Sequence, residues 1–367
     1  MPISTAFTAR FGVPHPIVQA PMGGGPTTPE LVAAVSNAGA LGSWAAAHLP
    51  PEEIHSGIAR IRELTGAPFA VNLFVLGTPQ PRDTQIARAL ARMQPVRAEL
   101  GLPPTPPVTL YAQAFEQQLE ALIDARPAVA SFTFGILKPR QARELSRAGI
   151  RVIGTATTVA EAKAWEAIGA QAVCAQGMEA GGHRGTFIGD FEFAMTGTMA
   201  LTPQVADAVA VPVIAAGGIM DGRGIAAALA LGAAAAQLGT AFLGCPEAGV
   251  AEPWRRALRT AGDGATVVTR AFSGRPARAL RNAFVESMRK HEKSLPAFPV
   301  QNALTQDIRK AAEATGNADY MSLWAGQGVG LLRERPAAAL VGELMAETES
   351  AVARLATPGT EPAAEQW

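Results

Sequence analysis

The distribution of apolar and polar positions predicts short buried strands that alternate with amphipathic helices. Eight apolar runs have the length of strands and are followed by segments with helical periodicity. These runs are residues 16–20, 40–44, 69–75, 128–134, 152–155, 172–176, 213–216 and 234–238. Strands that alternate with helices indicate a parallel sheet with helical crossovers. We therefore expect an α/β protein with a (β/α)₈ TIM barrel.

Helix start and stop signals support this alternation. Thr28 and Asp221 stand where N-caps are expected, and Thr158 with Glu161 predicts a capping box. Residues 336–355 have the pattern of a long final helix that closes the barrel. Its expected inner face consists of Leu340, Val341, Leu344 and Val352.

Three segments interrupt the pattern. Residues 76–110 are rich in proline and are helical only around 87–100, and residues 177–193 form a glycine-rich loop. Residues 246–325 separate the eighth strand from the final helix. We expect them to form a small helical lid domain, inserted into a barrel of residues 1–245 and 326–367. The apolar residues expected in its core are Trp254, Leu258, Phe284 and Leu295.

Composition excludes several classes of protein. The 367 residues are 48% hydrophobic, and 31 basic residues balance 31 acidic ones. A neutral chain without a basic stretch argues against nucleic-acid binding. The most apolar run, residues 225–243, is broken by Gly232 and Gln237, which favours a buried helix and strand over a membrane span.

The cysteines and the amino terminus indicate a cytoplasmic protein. Cys174 and Cys245 lie in apolar segments, so we expect reduced, buried thiols and no metal site. Residues 1–10 lack the layout of a signal peptide. The sequence leaves the oligomeric state open, and a homo-oligomer is compatible with it.

The chemistry of a barrel is expected at the carboxyl ends of its strands. The first strand runs into Pro21, Met22 and three glycines, which would let the backbone approach a flat ligand. Asn72 and Gln176 are amides at the ends of apolar strands and need hydrogen-bond partners. A satisfied core amide and a contact to a heterocycle edge are both consistent with these positions.

Glycines at the ends of the last two strands predict a phosphate site. Gly217 and Gly218 end the seventh strand, and Gly239 with Thr240 ends the eighth. Exposed N–H groups there resemble the phosphate sites that barrels place after these strands. This pattern alone does not distinguish FMN from a sugar phosphate. A dinucleotide is disfavoured because no strand–GxGxxG–helix unit is present.

His183 is the candidate for catalysis. It lies between glycines in the loop after the sixth strand, at the predicted mouth of the barrel, where an imidazole can act as a base or hold an anion. The other four histidines are expected to be structural or exposed; they are His15, His48, His55 and His291.

Several segments together resemble the nitronate monooxygenases, also called 2-nitropropane dioxygenases. They are QAPMGGG, VNLFV, SFTFG, CAQGMEAGGHRGTF, AAGGIMDGRG, QLGTAFLGCPEAG and SLWAGQG, and the resemblance covers about residues 15–328. It implies an FMN-binding barrel with a lid domain. It also implies that His183 is the active-site histidine, which binds substrate and takes a proton from neutral nitroalkanes.

The resemblance also implies a set of ligand contacts. The expected FMN contacts are Pro21, Met22, Gly23, Asn72, Gln176, Gly181, Gly217, Gly218, Gln237, Leu238, Gly239 and Thr240. Tyr111 and Tyr320 resemble tyrosines that line the substrate pocket, although ordinary packing is an alternative for both. Thr133 stands where relatives often have a second histidine, so this chain departs there from the family pattern of substrate contacts.

The resulting hypothesis is the oxidation of an alkyl nitronate by O₂ on FMN, giving a carbonyl compound and nitrite. One alternative is a related FMN barrel that uses NAD(P)H to reduce quinones or enoyl thioesters. Another is a flavin-free, phosphate-binding barrel isomerase or lyase, and a third is a non-catalytic ligand-binding protein. The sequence does not decide which nitronate is used, or whether neutral nitroalkanes react.

Overall fold

Eight parallel strands close into a barrel in the computed structural model, which describes residues 3–103 and 108–356. The strands are β1 (Ile17–Gln19), β2 (Gly42–Ala45), β3 (Phe69–Phe74), β4 (Val129–Thr133), β5 (Arg151–Ala156), β6 (Ala172–Gln176), β8 (Val213–Ala216) and β9 (Ala235–Leu238), with the short β7 (Gly182–His183) outside the barrel. Their order is β1-β9-β8-β6-β5-β4-β3-β2, and a parallel bridge from Val18 to Leu41 joins the two ends. The predicted (β/α)₈ barrel is confirmed.

Helices cover the outside of the barrel and make up much of the rest of the chain. They are α1 (Ala6–Phe11), α2 (Pro29–Asn37), α3 (Pro51–Leu64), α4 (Asp83–Glu99), α5 (Phe115–Ala125), α6 (Pro139–Arg147), α7 (Val159–Ala167), α8 (Thr198–Ala206), α9 (Gly222–Ala230), α10 (Glu252–Arg259), α11 (Ala283–Met288), α12 (Val300–Leu304), α13 (Gln306–Ala314) and α14 (Ala337–Ala356). No helix of the described residues is long and apolar enough to cross a membrane.

The predicted caps of α2 and α9 are confirmed, whereas the capping box of α7 is only half formed. The hydroxyl of Thr28 accepts from Leu31 N, and the Asp221 carboxylate accepts from Gly224 N. Thr158 caps α7, but Glu161 does not return to it. The fully buried Glu161 carboxylate instead accepts from the N–H groups of Thr157, Phe187 and Ile188. It therefore anchors the loop after β6.

Mostly aliphatic side chains fill the barrel, and α1 covers its amino-terminal end. Phe7 and Phe11 of α1 stack with their ring centroids 4.6 Å apart and are buried against the barrel interior. The Thr5 hydroxyl donates to the carbonyl of Ala234, just before β9, at 2.7 Å. The sequence did not indicate this helix.

The final helix lies where the sequence predicts it. Gly222 of α9 approaches α14 so closely that a Cβ there would lie 2.3 Å from the backbone N of Thr348. The inner face contains Leu340, Val341 and Leu344 as predicted, but Val352 is 45% exposed. Ala351 takes the buried position instead, because it lies seven residues, about two turns, after Leu344.

Residues 246–325 contain strands as well as helices. The run Thr266–Thr269 forms β10, and Ala277–Leu280 forms β11, which pair antiparallel. Strand β11 also pairs with β7, with Ala277 opposite His183. The expectation of a helical segment was therefore wrong for residues 266–280. The β-branched run at 266–269 favours a strand. The four expected apolar residues are buried: Trp254, Leu258, Phe284 and Leu295.

The proline-rich segment is more helical than the sequence suggests. Helix α4 begins at Asp83 and occupies much of the proline-rich segment 76–110, of which residues 104–107 lie outside the described residues. The expected barrel segment 326–367 likewise extends past the described chain at 357–367. Both cysteines are free and buried, as predicted.

Candidate active site

A deep cavity opens at the carboxyl ends of the barrel strands. Successive residues of a strand point to opposite faces, so alternate residues of one strand reach the cavity together. Asn72 and Phe74 of β3 do so, as do Cys174 and Gln176 of β6. The predicted residues that line the cavity are Pro21, Met22, Gly23, Asn72, Thr133, Gln176, Gly181, His183, Gly217, Gly218, Gln237, Gly239 and Thr240.

One end of the cavity has the properties of an anion cradle. Gly217 and Gly218 follow β8 with φ angles of 121° and 73°, values that favour glycine. Within the described chain, the backbone N–H groups of Gly218 and Gly239 have no acceptor in the protein. Gly218 is exposed and Gly239 is half-buried, so both N–H groups are open to a ligand and are suited to phosphate oxygens. The residues present fit the phosphate of FMN.

The wall next to the cradle is built from close backbone contacts. A Cβ at Gly181 would lie 2.6 Å from Gly326 N, so the segment before His183 packs directly on the segment 322–328. The hydroxyl of Thr240 accepts from Gly326 N at 2.8 Å and holds this segment to the end of β9. Three motifs of the sequence resemblance, distant along the chain, therefore form one wall.

The two strand-end amides have different surroundings. The Nδ2 of Asn72 donates to the carbonyl and the hydroxyl of Ser131, at 3.2 and 3.0 Å. Gln176 Nε2 donates to the carbonyl of His183 at 2.9 Å, and its Oε1 accepts from Gly185 N at 2.8 Å. Gln176 thus lines the cavity and also clamps the backbone at the histidine and two residues after it.

His183 lies on the cavity wall within an aromatic cluster. Its ring centroid is 5.6 Å from that of Phe134, 5.5 Å from Phe298 and 5.1 Å from Trp324. Its Nε2 is shielded from solvent and has no hydrogen-bond partner. Burial lowers the pKa of His183 to about 3, with further contributions from Arg275, His48 and Arg309. The imidazole is therefore neutral near pH 7 when the cavity is free of ligand.

His48 and Arg309 complete the cavity and were not expected there. His48, predicted to be structural or exposed, follows β2 and lines the cavity. Desolvation by the surrounding protein lowers the pKa of His48 to about 4, with a further contribution from Arg309. Arg309 of α13 donates to Asn302 O at 2.7 Å, and its buried Nε has no partner. Burial lowers the Arg309 pKa to about 10.

The sequence contained a partial signal for these two residues. His48 lies just after β2, at the functional end of the barrel, so its position alone could have marked it. Arg309 offers no such signal, because α13 belongs to the segment 246–325, whose path over the barrel follows from tertiary packing.

Three expected residues do not line the cavity. Leu238 is 1% exposed and packs in the core, since its neighbours Gln237 and Gly239 face the other side. Tyr111 packs at the edge of the core. Tyr320 is buried and donates its hydroxyl to Glu99 Oε2 at 2.5 Å, which raises the pKa of the phenol to about 12.

The fold and the site define a barrel enzyme with an enclosed, histidine-bearing cavity. Comparison with known proteins gives the family. The nitronate monooxygenase family model matches residues 4–347. A probable nitronate monooxygenase of Staphylococcus aureus (strain MSSA476) is 41% identical over 339 residues, 92% of this chain and 95% of the relative. The chain belongs to the nitronate monooxygenase family and is an oxidoreductase.

Solved structures agree with this placement. Nitroalkane oxidase from Streptomyces ansochromogenes is 44% identical and superposes with a TM-score of 0.88, covering 96% of this chain and 100% of that one. FabK from Thermotoga maritima is 31% identical with a TM-score of 0.76, covering 96% and 99%.

Proposed function

We propose that the protein oxidises alkyl nitronates with O₂, using bound FMN, to carbonyl compounds and nitrite. The observation that carries the proposal is the unpartnered Nε2 of His183, which lies on the same cavity as the free N–H groups of Gly218 and Gly239. A buried polar atom without a partner favours a ligand that supplies one.

The phosphate of FMN would bind the N–H groups of Gly218 and Gly239, and the ring would lie between the Pro21–Gly24 loop and the His183 wall. FMN would supply the redox chemistry that no side chain here provides. The protein's own contribution is to bind, to orient and to exclude water.

A nitronate anion fits the charge of the cavity. Arg309 carries a positive charge with an unpaired Nε, and His48 and His183 present imidazoles to the same space. A bound anion raises the pKa of a nearby imidazole, because it stabilises the protonated form. His183 Nε2 can thus hold the nitronate or, for a neutral nitroalkane, accept its Cα proton as the anion forms beside it.

Residues 246–325 would act as the lid of this site. They contribute Trp254, Asn302, Arg309 and Trp324 to the cavity wall. Aromatic walls exclude water, which strengthens electrostatic interactions within the site. We propose that this segment is a separate domain, inserted into a barrel domain of residues 1–245 and 326–367.

The test is anaerobic stopped-flow mixing of the FMN-loaded protein with propyl nitronate, followed by nitrite assay after O₂ is admitted. Loss of the oxidised flavin absorbance, followed by nitrite, is expected. No spectral change with nitronate, together with bleaching by NADH, would instead assign a reductase. A purified protein that is colourless and does not bind added FMN would favour the flavin-free barrel.

A further inference from the structure

Arg275 is a cation next to His183 to which the proposed function gives no task. It lies between β10 and β11, in a turn fixed by its neighbours. Gly274 has a φ of 80°, and a Cβ there would lie 2.1 Å from the carbonyl oxygen of Pro296. Arg275 N donates to the hydroxyl of Ser273 at 3.3 Å. The backbone at this position is therefore closely determined.

The guanidinium of Arg275 holds the segment that carries His183. Its Nε donates to the carbonyl of Arg184 at 2.8 Å, and Nη2 donates to the carbonyl of Thr186. The planar fork of an arginine can bond two carbonyls in this way, whereas a lysine cannot fix the same geometry. The contacts follow directly on the strand pair in which Ala277 of β11 lies opposite His183.

The same guanidinium stacks on an aromatic neighbour of the histidine. Its Cζ lies 4.0 Å from the ring centroid of Phe134, whose ring is 5.6 Å from that of His183. Phe134 has a φ of 78°, a costly conformation for a residue with a side chain. Such an outlier persists where surrounding contacts fix it, and the Arg275 stack is one such contact.

The charges around His183 come from three elements. Arg275 belongs to the β10–β11 hairpin, Arg309 to α13 and His48 to the loop after β2. All three disfavour a proton on the imidazole. Burial is the largest cause of the lowered pKa, and Arg275 is the largest of the three electrostatic contributions. Burial lowers the pKa of Arg275 itself to about 10. Glu161 opposes this shift and supports the positive charge, whereas Arg270 adds to it.

We propose that Arg275 is a positioning residue for His183, which fixes the histidine segment and places a constant positive charge beside the imidazole. The charge adds to burial in disfavouring a proton on His183, so that the proton taken from a nitroalkane is held only while the nitronate is bound. This inference rests on the proposed function for the identity of the anion, but not for the geometry.

Two variants separate position from charge. Arg275→Lys keeps the charge and loses the two-carbonyl geometry, whereas Arg275→Gln loses both. Imidazole NMR of the FMN-loaded protein, labelled at histidine and assigned by the signal missing in His183→Asn, gives the titration of His183 without any turnover. In Arg275→Gln the midpoint should rise by about one unit. In Arg275→Lys it should stay with the wild type.

Turnover of a neutral nitroalkane gives the second readout. Both variants should lose about tenfold to a hundredfold in kcat, because the histidine segment is less well placed. Only in Arg275→Gln should the acid limb of kcat/KM move to higher pH. The matched control is Arg281→Met, which removes an exposed charge just after β11 and should change neither readout.

The proposal is overturned if the Gln variant has the wild-type His183 titration, or if the Lys variant has a shifted titration or an unchanged kcat. Should the Gln variant not fold, the Lys variant alone decides, because it predicts an unshifted midpoint together with a reduced kcat. A wild-type protein that does not oxidise nitronates would defeat the proposed function, while the NMR titration would still test Arg275.

Discussion

Gln176 Nε2 donates to the backbone carbonyl of His183 at 2.9 Å, so the end of β6 holds the candidate catalytic histidine by its main chain. The same side chain accepts from Gly185 N. The expectation that Gln176 contacts FMN is thus joined by a second task. Gln176, which is predicted to contact the ligand, also fixes the loop that carries His183.

Removing this clamp should loosen the histidine loop. Gln176→Met leaves the His183 carbonyl and the Gly185 N–H without their partner, a cost of about 1–3 kcal/mol. We expect the free energy of unfolding in urea to fall by that amount and kcat to fall with it. The control is Gln204→Met, since Gln204 bonds only within α8 on the surface. Unchanged stability would show that water replaces the clamp.

His183→Asn should reduce nitroalkane turnover by about 10²–10⁴-fold, the range of a lost general base. FMN binding, measured by flavin fluorescence, should remain. In the wild type, kcat/KM for a neutral nitroalkane should not fall between about pH 8 and pH 5, because the His183 pKa is about 3 in the free protein. His55→Asn, on the exposed side of α3, is the control. Full activity of His183→Asn would remove the histidine from the mechanism.

Arg309→Met should raise KM for a nitronate by about tenfold, equivalent to about 1.4 kcal/mol, while FMN stays bound. The reason is the loss of a buried positive charge whose Nε is free to face an anion. Lys310→Met removes the same charge from the exposed side of α13 and should leave KM unchanged. Equal effects of the two substitutions would indicate only a long-range effect of net charge.

Gly218→Ala should weaken FMN binding, measured by fluorescence titration. Its φ of 73° costs a side chain about 1–2 kcal/mol, and the added Cβ would lie 3.2 Å from Glu179 Cβ. Gly149→Ala is matched, because Gly149 has a φ of 77° with open space around it. Both variants should lose stability, but only Gly218→Ala should lose FMN affinity. A shared loss of affinity would point to general destabilisation.

Tyr320 should stabilise the fold by an amount that is lost at alkaline pH. Its hydrogen bond to Glu99 raises the phenol pKa to about 12, above the value of about 10 in an unfolded chain. The contribution is complete below pH 10 and is lost as pH rises toward 12. Urea unfolding of the wild type and Tyr320→Phe should therefore differ at pH 8 and converge near pH 12. A constant difference would exclude this hydrogen bond as its source.

The periodic parts of the chain could be predicted from sequence because their burial is local. The eight strands were found within one or two residues, since each is a short apolar run. Val352 was misplaced because a helical face drifts over two turns, and Ala351 fits the inner position better. Helix α1 was missed because six residues give too little periodicity.

The part of the site at the strand ends could be predicted from the sequence, whereas the part formed by residues 246–325 could not. Glycines after β8 and β9 and His183 after β6 all lie on the cavity. Arg309 lines the cavity, and Arg275 contacts the segment after His183, only because residues 246–325 fold back over the barrel, which no local pattern encodes. Tyr320 was expected at the pocket, but its hydroxyl donates to Glu99 at the end of α4.

The ladder between β7 and β11 has a consequence for protein engineering. His183 is paired with Ala277, and Arg184 N donates to the Pro276 carbonyl at 2.8 Å. The short strand that carries the histidine is therefore hydrogen-bonded to residues of the segment 246–325. Replacing residues 246–325 with those of a relative would therefore also replace β11, the strand that pairs with the His183 strand. Chimeras that join at 245 and 326 should tolerate changes in α10–α13 far better than a one-residue shift in β11, because a shifted register turns every side chain of the strand to the opposite face.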